Sequence, residues 1–336
     1  MKSINVGVVG CGAVAEIFHL PVLKRTSSFN IKTVVDLDLQ RVTKLKKELG
    51  IDFNICKDYR EVLDDDDIEA VLITTPPHLH AEMILEAFEK QKDVLCEKPL
   101  SLNVNDAKEV ISRMKETNRI LVLGYHFRFL PQFKKLKEVS SKLGDIIGVQ
   151  STFCSNAYAW PTRTKFKTQL EKGGGVLTEM GTHHIDLISW ILGKPKQVWA
   201  SLGKMTNKSP VIDKANVFII FENDTTANIN LGWRNYTVNY LNVFGTQGHA
   251  YTEHEKARVY LHLNNLVAQP PIISKSKIIG SPYQEEWLYF KKCVETRKNP
   301  LFTSQSLINP VAIVEKAQES ADKNKVLLEI GDIDVQ

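Results

Sequence analysis

Three groups of residues have types and spacings suited to chemistry. Lys98 stands in Cys96-Glu97-Lys98-Pro99, directly after an apolar β-branched run. An amine at the carboxyl end of such a strand, partly out of water, is placed to exchange a proton with a hydroxyl. Glu179, His183 and Asp186 follow Gly173-Gly174-Gly175. At about 100° per residue they share one side of a helix with Trp190, whereas Met180, Ile185, Leu187, Ile188, Ile191 and Leu192 fill much of the rest. One polar stripe on an otherwise apolar helix is aimed at a ligand cavity more readily than it goes without partners. His183 carries the side chain that ordinarily titrates near neutrality, so it is the expected general acid or base, with Glu179 one turn away to orient it. His184, about 100° round, falls among the apolar residues as a core histidine.

The third group is Gly10, Gly12 and Ala15, a Gly-x-Gly-x-x-Ala between a β-branched run and a helix start. The glycines permit a tight turn and close backbone approach, and the helix N-terminus beyond Ala13 and Val14 faces a pyrophosphate. Asp36 ends the next strand, 24 residues after Gly12, where a carboxylate accepts from the adenosine ribose hydroxyls. It repels a 2′-phosphate, and Leu37 rather than Arg follows it, so NAD is expected in preference to NADP. Glu179, His183 and Asp186 lack the further His or Cys that zinc takes at fixed spacing, and no metal is expected.

These residues need elements to hold them. Short β-branched runs at 4–9, 31–35, 70–75, 93–97 and 120–125 alternate with amphipathic stretches, the pattern of βαβ units on a doubly wound parallel sheet. After Tyr125 the texture changes to alternating segments at 215–221, 227–233 and 240–244, which read as a largely antiparallel sheet. The reading is therefore α/β: a Rossmann domain over residues 1–124, then an α+β domain for substrate binding and oligomerisation over 125–336. At 336 residues the chain suits two domains.

Composition narrows the partners. Lys plus Arg number 43 against 39 Asp plus Glu, a net +4 too small and scattered for a nucleic-acid footprint. Five cysteines without Cys-x-x-Cys spacing read as reduced thiols of a cytoplasmic protein. The N-terminus lacks a signal-peptide pattern, and no apolar run reaches the ~18 residues of a membrane span.

With these residues in view, the chain resembles the Gfo/Idh/MocA family of sugar and cyclitol dehydrogenases. The resemblance rests on ordered, separated motifs: Gly10-Cys-Gly12-Ala, Thr74-Thr75-Pro76-Pro77-His78-Leu79-His80, Glu97-Lys98-Pro99 and Tyr125-His126-Phe127-Arg128-Phe129-Leu130-Pro131. It continues through Gly-Gly-Gly to His183 and Asp186, then Phe244-Gly245-Thr246-Gln247-Gly248, and reaches a helix around Glu319. It implies that Lys98 and His183 flank the reacting carbon, that Glu97 contacts the nicotinamide-side ribose, and that the Thr75-Pro76 turn and His80 lie by the cofactor. It also implies a homodimer or homotetramer joined through the C-terminal sheet. Glu179 stands where many relatives have Asp, and His126 where many have Asn. The implied activity is hydride transfer between NAD and a secondary hydroxyl or ketone of a sugar, sugar derivative or cyclitol. Within the family the alternatives are an NAD-dependent lyase or glycoside hydrolase using transient oxidation, and a non-catalytic dinucleotide sensor. The segment 156–167, with Tyr158, Trp160, Arg163 and Lys165, is expected to line the substrate pocket, Arg163 and Lys165 either meeting a carboxylate or phosphate or standing in a solvated loop.

Overall fold

The computed structural model describes residues 3–156, 165–207, 209–252, 257–264, 272–275 and 281–334. The first sheet comprises β1 (Ile4–Val9), β2 (Phe29–Val35), β3 (Asn54–Cys56), β4 (Ala70–Ile73), β5 (Asp93–Cys96) and β6 (Leu121–Leu123). All run parallel in the order β3-β2-β1-β4-β5-β6. The order reverses between β1 and β4, so a crevice opens beyond their carboxyl ends. Every residue of β4, β5 and β6 is buried, as expected where helices cover both faces of a parallel sheet. The sequence expectation lacks β3, because a three-residue edge strand carries no periodic signal.

The second sheet holds β7 (Ile146–Asn156), β8 (Pro195–Gly203), β9 (Lys214–Phe221), β10 (Thr226–Gly232), β11 (Arg234–Gly245), β12 (Gly248–Thr252), β13 (Arg258–Leu263), β14 (Ile272–Lys275) and β15 (Leu328–Glu329). Among the described residues the order is β14-β13-β12-β11-β7-β10-β9-β8-β15, and only β7 and β10 pair parallel. Burial alternates along β9 and β12, one face turned to the core and the other outward. The core face carries the helices Pro131–Ser140, Thr182–Leu192 and Ser304–Asp322. The outward face of β11 to β13 bears half-buried rings, with His249 stacked on His262 at 4.5 Å and Tyr251 on Tyr260 at 4.9 Å.

The helix Pro282–Thr296 follows β14 in the chain but packs on the first sheet. Trp287 meets Phe29 of β2 edge-on at 4.8 Å, and Asn299 donates to the Leu121 carbonyl at 2.6 Å. Arg297 holds Asp93 of β5 at 2.8 Å. No helix among the described residues is long and apolar enough to cross a membrane.

Candidate active site

The crevice begins at the turn after β1. Gly10 has φ +92°, and a Cβ there would sit 2.9 Å from the Thr74 backbone, so only glycine fits. The Thr74 hydroxyl donates to the Gly10 carbonyl at 2.7 Å and fastens the two turns together. A Cβ on Gly12 would meet nothing within 4 Å, which leaves that side of the turn open to a ligand. Beyond Ala13 and Val14 the chain makes a π-helical turn, Ala15–His19, before the helix Leu20–Arg25. Asp36, just past β2, accepts from the backbone N–H of Cys11 at 2.7 Å and of Asp38 at 2.9 Å. The open turn, the helix start and this fixed carboxylate fit NAD; residues 10–14 would hold its pyrophosphate and Asp36 would meet its adenosine ribose. Arg41 reaches to 3.9 Å of Asp36, though no Arg follows Asp36 directly, and it lies closer to Asp38 at 3.4 Å.

Glu97 lies deeper, after β5. Gly124 makes its room, since a Cβ there would lie 2.9 Å from the Glu97 carboxyl carbon. The Trp287 indole N–H donates to His19 Nδ1 at 3.1 Å, which leaves Nε2 to carry the ring proton and donate to Glu97 Oε1 at 3.1 Å. Burial pushes the Glu97 carboxyl up, but His19, Lys98 and His126 outweigh it and hold the group below the usual carboxylate range.

Lys98 Nζ donates to the backbone carbonyl of Glu179 at 2.9 Å, so an amine from the first sheet touches the helix that carries His183. The Glu179 carboxylate lies 3.8 Å from Lys98 Nζ and 3.1 Å from Lys167 Nζ. Glu179 thus serves two lysines rather than His183, because residues Leu177–Gly181 form a π-helical turn and the straight 100° projection fails there. His183 stacks on Phe127 at 4.5 Å and meets the His126 ring at 4.8 Å. The Nδ1 atoms of both histidines are buried and unpartnered in the described structure. Burial, then the Lys98 charge, press His183 well below its ordinary value. Burial takes His126 down to about 4. His126 also stacks on Tyr283 at 4.7 Å.

Asp186 leaves the expected stripe. It is fully buried and takes both oxygens to the Arg128 guanidinium, at 2.8 and 2.6 Å, with Trp190 and Phe302 flanking the same guanidinium. A buried carboxylate requires such a partner, and the Tyr125–Pro131 segment supplies it away from the crevice. His184 is a satisfied core residue, bonded to Ser151 and Asn239. The Thr75-Pro76 turn follows β4, and His80 lies fully buried behind it. Tyr158, Trp160 and Arg163 lie outside the described residues, as does the side chain of Lys165. Sequence reasoning missed His19, Lys167 and Trp287. His19 lies in the glycine-turn helix and Lys167 in the cationic stretch already noted, but the helix holding Trp287 offers no local cue to its distant partner.

Comparison with known proteins identifies the family. The model of an oxidoreductase family with an NAD-binding Rossmann fold, GFO/IDH/MocA, matches residues 4–125, and the GFO/IDH/MocA C-terminal domain matches 133–251. The chain is similar to the uncharacterized oxidoreductase YrbE of Bacillus subtilis, 27% identical over 95% of this chain and 94% of that one. It is also similar to the myo-inositol 2-dehydrogenase of Thermotoga maritima, 27% identical over 74% and 75% of the two chains. An oxidoreductase crystal structure from Thermotoga maritima shares the fold, with TM-score 0.86, 23% identity, and 99% and 100% of the chains covered. The chain belongs to the Gfo/Idh/MocA family and is an NAD(P)-dependent oxidoreductase with an NAD-binding Rossmann domain.

Proposed function

We propose that the protein is an NAD-dependent dehydrogenase interconverting a secondary hydroxyl and a ketone on a sugar, sugar derivative or cyclitol. The observation that carries the reading is the 2.9 Å contact between Lys98 Nζ and the Glu179 carbonyl, four residues before His183. That contact sets the amine against the segment that leads into the His183 helix, which supports their acting together. NAD, when bound, supplies the hydride acceptor. Lys98 donates a hydrogen bond to the substrate oxygen, and Glu179 holds its chain in place. His183 accepts the hydroxyl proton through a ring that burial keeps unprotonated at neutral pH. The buried shell of Phe127, His126 and Tyr283 fixes the His183 ring and keeps water from it.

The relative named myo-inositol 2-dehydrogenase supports a polyol substrate. The ring-bearing outward face of β11 to β13 supports self-association into a homodimer or homotetramer, to be read by light scattering. The test of the reading is a screen of polyols, sugars and cyclitols with NAD, followed by Lys98→Ala and His183→Ala on the best substrate. Each variant is expected to lose about 10²-fold or more in turnover while keeping its NAD affinity. Near-normal activity in both removes them from the mechanism.

A further inference from the structure

Gly173-Gly174-Gly175 precedes the helix of His183, and the chemistry assigned above gives it no role. Gly174 is pressed against the turn Lys165–Thr168: a Cβ there would stand 2.6 Å from the Phe166 carbonyl oxygen and closer still to that of Lys167. Gly175 ties two backbones together. Its N–H donates to the Lys167 carbonyl at 3.0 Å, and its carbonyl accepts from the Glu179 N–H at 3.0 Å. The glycines therefore set the main chain of Lys167 against the segment that carries Glu179.

The side chains meet where the backbones are tied. Lys167 Nζ lies 3.1 Å from Glu179 Oε2, within hydrogen-bond reach, whereas Lys98 Nζ stands 3.8 Å from Oε1, too far for a hydrogen bond. Two largely buried ammonium groups thus face one carboxylate, and the nearer holds it. Among the described residues Lys98 Nζ makes one hydrogen bond, to the Glu179 backbone carbonyl, so two of its three N–H groups stay available to a substrate oxygen. We infer that Lys167, seated by Gly174 and Gly175, is a positioning residue that holds the Glu179 carboxylate away from Lys98 Nζ. This rests on the reading of Lys98 as catalytic. Without the Lys167 charge, Glu179 closes on Lys98, occupies a second N–H, and leaves a charge-assisted bond that the substrate oxygen has to displace.

In a crystal structure of Lys167→Met the Glu179 carboxylate is expected about 2.8 Å from Lys98 Nζ, the length of a charge-assisted hydrogen bond. With NAD and the best polyol of the screen, kcat is expected to fall about tenfold, the scale of one hydrogen bond lost to the substrate, while the NAD Kd holds. Adding Glu179→Gln removes the charge that closes on Lys98 and keeps the backbone carbonyl. The double variant is therefore expected to recover about threefold or more of the loss. A Lys167 that touches the substrate, or that only supports its turn, loses as much with Glu179→Gln present as without it, and that result overturns the inference. A carboxylate that stays 3.8 Å from Lys98 in Lys167→Met overturns it equally. Should Lys167→Met not fold, Lys167→Gln carries the same two measurements. Lys98→Ala is measured alongside. Near-normal turnover there overturns the catalytic reading itself. An inactive Lys98→Ala with wild-type kcat in Lys167→Met overturns only the role of Lys167.

Discussion

Glu286 offers a quantitative test of how the two halves of the molecule are joined behind the reactive centre. Its side chain is 0% exposed, and both carboxyl oxygens are buried without a hydrogen-bond partner in the described structure. Burial, then the Glu97 charge, raise it well above its ordinary value of 4.5, so the folded protein keeps a proton that the unfolded chain releases above that pH. The native state then binds one more proton than the unfolded state, and stability falls by about 1.4 kcal/mol for each pH unit above 4.5 while that proton stays on. Glu286→Gln abolishes this slope and leaves every other titration in place. While that proton stays on, the variant is therefore expected to gain about 1.4 kcal/mol on the wild type for each pH unit. For 336 residues, at about 2 cal/mol/K per residue, that is a relative rise in Tm of about 2 °C per pH unit. Scanning calorimetry of both proteins at pH 5, 6 and 7 reads it directly. A Tm difference that stays constant with pH, or that shrinks as pH rises, refutes the assignment of a neutral carboxyl beneath Glu97.

Other consequences are equally direct. Asp36→Ala is expected to weaken NAD binding and to narrow the gap to NADP, and tighter NADPH than NADH binding by the wild type would defeat the role given to Asp36. Because His183 is depressed by burial, kcat/KM for hydroxyl oxidation is expected to stay level from pH 8 down to pH 6; an inflection near 6.5 contradicts that environment. Arg128→Met leaves Asp186 buried and uncompensated, and a loss of about 3–5 kcal/mol is expected, partly recovered in the double variant with Asp186→Leu. Burial holds His126 and His184 at about 4, so each makes the fold less stable as pH falls from 6.5 toward 4, and chemical unfolding across that interval is expected to show net proton uptake.

Local rules carried the first sheet far. Gly10, Gly12 and Asp36 were legible because a turn with positive φ, an open approach and a strand-end carboxylate each require particular residue types at short range. The same rules overreached on the stripe of Glu179, His183, Asp186 and Trp190. A π-helical turn re-aimed Glu179, and Arg128, more than fifty residues earlier in the chain, claimed Asp186. Neither event has a local signature, since ion pairing at long range depends on which surfaces meet.

The order and chemistry of the motifs thus determined a dinucleotide turn, a lysine at a strand end and a histidine on an apolar helix, because backbone geometry and periodicity act over a few residues. Only the tertiary structure decided the company they keep: His19 on Glu97 under Trp287, Lys98 and Lys167 against Glu179. Those partnerships join residues up to 268 positions apart, and they arise because buried polar groups take whatever donors and acceptors the packing brings to them.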